Sequence, residues 1–204
     1  MKLFAPHLTD FYKTGHYRQY PEGTEFIYSN LTARSDRLAN MPDDFDHKVV
    51  VAGIIGTMKW YLRDLWKTTF FDVPKEEAIA KYKRRMDSSL GEGSVGIQHL
   101  SDLHDLGYLP LRVKALPEGS RVNLRVPFLT IENTMPQFYW VTNYVERALS
   151  AELWKAVNNA TIAYEFRRLL DSYADKTGTP RAFVDFQAHD FSLRGVGGIR
   201  SEEH

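Results

Sequence analysis

The sequence predicts an α/β fold, and three observations carry that prediction. From residue 109 onward, stretches rich in β-formers alternate with stretches of helical period, the pattern of layered sheet and helix. Upstream, Asp46 to about Thr69 places Val50, Ile54, Met58, Tyr61, Leu62, Leu65 and Trp66 at helical spacing. The chain has 204 residues, 43% hydrophobic and 25% charged, enough for a core of ordinary globular composition. The change of character near residue 109 divides the chain in two. Residues 1–108 read as a mixed α+β N-terminal region. Residues 109–204 read as a small antiparallel strand unit followed by the beginning of an α/β domain.

Composition sets further bounds. Lys+Arg and Asp+Glu are 26 each, so no global field draws nucleic acid or an anionic membrane, and any anion site is local. The absence of cysteine excludes disulfides, thiolate metal sites and a thiolate nucleophile. The stretch Met1–His7 is too short and polar for a signal peptide. The most apolar run, Val49–Met58, is too short to cross a bilayer and contains Gly53 and Gly56. A cytoplasmic protein is the expectation.

In chain order, Thr9 or Asp10 caps a short helical turn that Gly15 and Pro21 close. Four aromatics there interleave with Lys13, His16 and Arg18, which suits either an aromatic or phosphorylated ligand or ordinary packing with wet hydroxyls. Thr24–Thr32 reads as a strand, with Arg34 in its polar exit. After the helix expected from Asp46, Asp72-Val73-Pro74 starts a second one over Lys75 to about Leu90, ended by Gly91. A weak helical turn over Ile97–Leu106 holds His99 and His104, whose spacing of five does not bring them together as a metal pair.

Leu111–Leu116, Arg121–Leu124 and Val126–Ile131 then read as three short strands joined by tight turns, one antiparallel unit. Asn133-Thr134 caps a helix from Pro136 to about Leu149. Beyond Leu153-Trp154-Lys155, a further helix runs from about Asn158 to Ala174, and Lys176–Pro180 breaks it. Phe183–Phe186 is apolar enough for a buried strand. It delivers the chain to His189-Asp190-Phe191-Ser192-Leu193-Arg194-Gly195-Val196-Gly197-Gly198. That run suits a strand end presenting Phe191 for stacking and Arg194 for phosphate, or a buried strand leaving through a glycine turn. His189 and Asp190 are expected to hold the strand end.

Several blocks, in this order, resemble the N-terminal portion of the nicotinamide phosphoribosyltransferases, of bacterial or phage type. They are Thr9–Pro21, Tyr28-Ser29 with Arg34, Lys114–Gly119, Thr130–Thr134, Glu152–Lys155, Ala160–Tyr164 and His189–Gly195. The resemblance implies the start of a type II phosphoribosyltransferase α/β barrel, truncated here, whose remainder lies beyond residue 204. It implies transfer of the 5-phosphoribosyl group from phosphoribosyl pyrophosphate to nicotinamide, giving nicotinamide mononucleotide and pyrophosphate, with Mg2+ accompanying the pyrophosphate.

It implies that Phe191 stacks on one face of the pyridine ring, and that Tyr12 from the other subunit of a dimer stacks on the opposite face. Arg194 and Arg34 would contact phosphate, and Asp10 matches an acidic position beside the tyrosine. The residue that separates nicotinamide from nicotinate, and the catalytic residues, would lie past residue 204. The partner expected is a second copy in a homodimer or a complementing C-terminal chain, with the missing part supplied by a separate chain or a longer parent sequence. The alternative is a non-catalytic remnant that binds or assembles with a full-length relative.

Overall fold

The computed structural model describes residues 3–189. Two compact units are interleaved along the chain. The first comprises 1–30, 55–114 and 130–150, the second 31–54, 115–129 and 151–204.

Among the described residues, five short strands make two sheets. β1 (Tyr28–Thr32), β3 (Leu111–Ala115) and β5 (Pro127–Asn133) form a three-stranded sheet of order β1-β5-β3. β2 (Lys48–Val50) pairs antiparallel with β4 (Arg121–Asn123), Val49 lying opposite Val122. The one antiparallel unit expected of residues 111–131 is therefore split, because β4 leaves its sequence neighbours for a partner more than seventy residues upstream. The helix expected from Asp46 is corrected for the same reason. Its first residues are β2, since β-branched Val49 and Val50 suit a half-buried ladder, and Gly53 at φ 77° turns the chain before the helix begins.

In the first unit that helix starts as α1 (Ile54–Thr57) and continues in π-helical geometry over Met58–Leu65 and Lys67–Phe71. Two features favour the wider turn. The Thr68 and Thr69 hydroxyls donate at 2.7 Å to the carbonyls of Asp64 and Leu65, which competes with the backbone ladder. The fully buried Tyr61, Trp66 and Phe70 recur at intervals of five and four, which an i→i+5 ladder keeps on one side. They meet Tyr82 and Tyr144 in a core of large rings, with Trp66 edge-on to Phe70 and to Tyr144.

α2 (Lys75–Leu90) and α3 (Gln98–Leu106) appear where the sequence places them. α2 buries Ala78, Ile79, Tyr82 and Met86, a stripe of helical period, and α3 ends on Gly107 in the left-handed conformation. The single helix expected over 136–149 is instead a 3-10 turn (Pro136–Phe138), α4 (Val141–Tyr144) and the beginning of α5. Asn133 does not cap it. Its amide accepts from the Ile27 N–H at 2.8 Å and donates to the Glu25 and Met135 carbonyls, tying down the chain before β1.

α5 (Glu146–Thr177) runs for 32 residues without the interruption expected at Leu153–Asn159. Two asparagines cost a helix only a few tenths of a kcal/mol each beside the packing it gains. In the second unit Thr161 accepts the Val50 N–H at 2.9 Å and donates to the Val157 carbonyl. Arg168 forks onto Asp44 at 2.6 and 2.7 Å while its Nε reaches Glu165. Gly178 at φ 71° closes the helix. Phe183–Phe186 is a 3-10 turn within Arg181–Phe186, not a buried strand: Val184 is buried, while Phe183 and Phe186 are exposed.

Candidate functional site

The sequence singles out Asp10, Tyr12, Arg34, Phe191 and Arg194. The first three fall among the described residues. Phe191 and Arg194 lie outside them, as does Asp190, and His189 is exposed.

Tyr12 stands on a 3-10 turn, Phe11–Thr14, that Asp10 enters in extended conformation and Gly15 leaves. Its ring is 62% exposed. The turn beneath it is pinned at three points. The next side chain, Lys13, is only 5% exposed, and its ammonium donates to the Asn143 carbonyl at 3.1 Å and to the Glu146 carboxylate. Asp10 does not cap the turn as expected. Its carboxylate pairs instead with Arg147 at 3.1 Å. The Thr14 hydroxyl donates to the Phe11 carbonyl at 2.6 Å. His16 packs against the Tyr12 ring at 5.0 Å between centroids. An aromatic face is thus offered to solvent on a scaffold fixed from below, as stacking on a flat ligand requires.

The chain after the turn is fixed as well. Tyr20 accepts from the Asn143 amide at 2.7 Å, the same amide that accepts from Ser29 at 2.8 Å, and Tyr139 donates to the Tyr17 carbonyl at 3.0 Å. Tyr17 stacks on His99 at 3.9 Å, with Trp140 edge-on to the imidazole at 4.9 Å. Burial, reinforced by the Arg18 charge, lowers the His99 pKa to about 3, so the ring is neutral at pH 7. Gly96 admits this packing, since a Cβ there would collide with the Tyr17 hydroxyl and the Arg18 guanidinium.

Arg34, in the second unit, is exposed, and its side chain makes no ion pair or hydrogen bond among the described residues. Its loop is shaped by backbone strain. The Arg125 N–H donates to the Ala33 carbonyl at 2.8 Å with Arg125 at φ 65°, and the Leu124 N–H donates to the His47 carbonyl at 3.1 Å with His47 at φ 58°. His47 closes the loop through Asp36 at 2.5 Å, a contact that holds the Asp36 carboxyl below its usual range. Two left-handed non-glycine residues beside an unpaired arginine make this a place where strain is kept. Arg125, which is exposed, escaped the sequence reading, because nothing local marks an arginine for positive φ. Asn143, Glu146 and Arg147, and the buried anchoring role of Lys13, escaped it because their pairing spans more than 120 residues of sequence.

Among the described residues, helices and two small sheets make a mixed α/β fold. The human nicotinic acid phosphoribosyltransferase structure overlays with a TM-score of 0.53 at 20% identity, covering 80% of this chain and 28% of that one. No closed barrel is formed among the described residues.

The sequence model described as nicotinamide phosphoribosyltransferase, N-terminal domain, matches residues 6–113, and the chain belongs to that family. The nicotinamide phosphoribosyltransferase of Acinetobacter baylyi is 58% identical over 190 residues, 93% of this chain and 38% of that protein. Those of Mycoplasma pneumoniae and Xanthomonas campestris are 28% and 26% identical, over 94% and 95% of this chain and 44% and 38% of theirs. The chain therefore spans about two fifths of the length of these relatives.

Proposed function

We propose that this chain supplies the ring-holding, N-terminal part of a nicotinamide phosphoribosyltransferase serving NAD salvage. In the reaction, the pyridine nitrogen of nicotinamide forms a bond to C1 of the ribose as the bond from C1 to the pyrophosphate oxygen breaks. The products are nicotinamide mononucleotide and pyrophosphate. The observation that carries this reading is the exposed Tyr12 ring on its pinned turn, in a chain of this family.

Tyr12 of one subunit of a dimer would cover one face of the pyridine and Phe191 the other, each ring pair contributing roughly 0.5–1.5 kcal/mol beyond burial. Asp10, paired with Arg147, would fix the approach to Tyr12. Arg34 and Arg194 would take phosphate groups, where a guanidinium fork is strongest on a charge that grows as the bond breaks. Among the described residues no three His, Asp or Glu side chains gather as a metal site. The Mg2+ proposed to accompany phosphoribosyl pyrophosphate would be held mainly by the pyrophosphate. No described helix is long and apolar enough to cross a membrane, and a cytoplasmic location accords with this reading.

Co-expression of the chain with the remaining C-terminal part of the Acinetobacter relative, followed by assay of nicotinamide mononucleotide, tests the proposal. Product that disappears in Tyr12→Ala supports it, and no product from a folded, co-purifying pair overturns it. A second reading, a non-catalytic binding or assembly module, is favoured by one observation. Trp154, Ile162, Phe166, Leu169 and Tyr173 of α5 are large, apolar and exposed, a face suited to a full-length relative. Stable association with that relative without turnover would favour it.

A further inference from the structure

The first unit holds a cavity of about 490 Å3 that the proposed function leaves unused. Neither Asp10 nor Tyr12 lines it. One wall is α2, from which Lys81 and Arg85, one helical turn apart, present cations. Neither side chain forms an ion pair among the described residues. Lys81 rests over the Phe4 ring at 4.3 Å and Arg85 over the Phe11 ring at 5.6 Å. The other wall is the N-terminal segment, which contributes His7 and Thr9. Thr9 is 5% exposed, yet its hydroxyl has no hydrogen-bond partner among the described residues, and neither has Nε2 of His7.

Two cations without counter-charge line one space, and the walls around it bury the Thr9 hydroxyl and Nε2 of His7 without partners among the described residues. A buried hydroxyl left unpaired is costly, and two adjacent cations repel, so the arrangement is one that a bound anion relieves. The cations also lower the pKa of His7, after burial itself, to about 4. His7 is then neutral at pH 7 and able to donate from Nε2 as the appropriate tautomer. The volume exceeds that of a bare oxyanion, and the exposed part of Phe11 offers a ring at the rim.

We propose that this cavity binds the phosphate of an organic phosphomonoester. Lys81 and Arg85 neutralise the charge, Thr9 and His7 donate to its oxygens, and an aromatic body rests against Phe11. Phe11 and Thr14 belong to the same turn as Tyr12, so the occupant bears directly on the turn that holds the Tyr12 ring.

Calorimetry of the full chain with adenosine 5′-monophosphate, and with adenosine as the uncharged control, tests this. Saturable binding of the monophosphate is expected, with adenosine weaker by about tenfold or more. Lys81→Met with Arg85→Met, which keeps the stems and removes both charges, is expected to abolish binding. Thr9→Val, nearly isosteric and away from the helix, is expected to weaken it by roughly threefold to tenfold. Tyr12→Ala and Arg34→Ala are expected to leave the affinity unchanged. The inference is overturned if adenosine binds as well as its monophosphate. It is also overturned if both charge-removing and Thr9 variants bind normally, if the wild-type chain shows no saturable binding, or if binding follows Tyr12 and Arg34. Because the readout is affinity in this chain alone, it stands or falls independently of nicotinamide mononucleotide formation.

Discussion

The turn that carries Tyr12 and the loop that carries Arg34 are built on opposite plans. Beneath Tyr12 lie a buried ammonium, a neutral buried imidazole and a chain of side-chain hydrogen bonds, all reaching residues more than 80 positions away. Around Arg34 the determinants are an exposed Asp36–His47 contact and two left-handed backbones. A stacked ring needs its partner face held in position and orientation, whereas a guanidinium on a phosphate tolerates several geometries in water. The difference is that the Tyr12 turn is preorganised by burial, and the Arg34 loop is shaped locally at the surface.

Acid should separate the two most widely. His99 is held neutral to about pH 3 in the folded chain, while its ordinary value is 6.5. As pH falls below 6.5 the unfolded chain takes up a proton that the folded chain refuses, so stability falls between pH 6.5 and about 3. The slope reaches about 1.4 kcal/mol per pH unit for this group. His7, lowered to about 4, adds to the loss over its own window. Thermal melts from pH 7 to 4.5 should show the fall, and His99→Phe should remove about half the slope. The depressed Asp36 carboxyl contributes its stability above the ordinary carboxylate value of 3.8 and loses it only as pH falls below.

Lys13→Met should cost about 2 kcal/mol, since it removes charge-assisted bonds to Asn143 and Glu146, and should lower the melting temperature at pH 7. A melt unchanged within error would remove the anchor from the comparison. Gly96→Ala should cost about 1 kcal/mol, since the atoms its Cβ meets are the ends of the Tyr17 and exposed Arg18 side chains, and a denaturant titration measures it. In the other region the sign reverses. Arg125→Gly should stabilise by about 0.5–1 kcal/mol, because glycine adopts φ 65° without a Cβ penalty. Asp36→Asn should be smallest, leaving the midpoint at pH 7 unchanged within error, as expected of an exposed pair.

Much of the fold was legible where a local rule decides. α2 and α3 follow from apolar spacing and their glycine ends, and Gly178 from the helix terminus it allows. The readings failed where a distant partner decides. Val49 and Val50 favour a strand by their branching, but Val50 also falls in the helical spacing that follows, and Val122 opposite Val49 selects the strand. Phe183 and Phe186 look like core by composition, but they lie exposed on a 3-10 turn. Of the candidate site, Tyr12 and Asp10 could be named from their motif. That Asp10 answers to Arg147 and Lys13 to Glu146 is a fact of tertiary structure alone.

The left-handed Arg125 carries a consequence for selection. A library screened for heat resistance should replace its codon with glycine early, since that change relieves the backbone at once. A library screened for use of a phosphorylated substrate should keep the arginine if its charge serves the Arg34 loop. The residue that emerges from the two screens would then differ at a position where neither hydrophobicity nor burial has anything to choose.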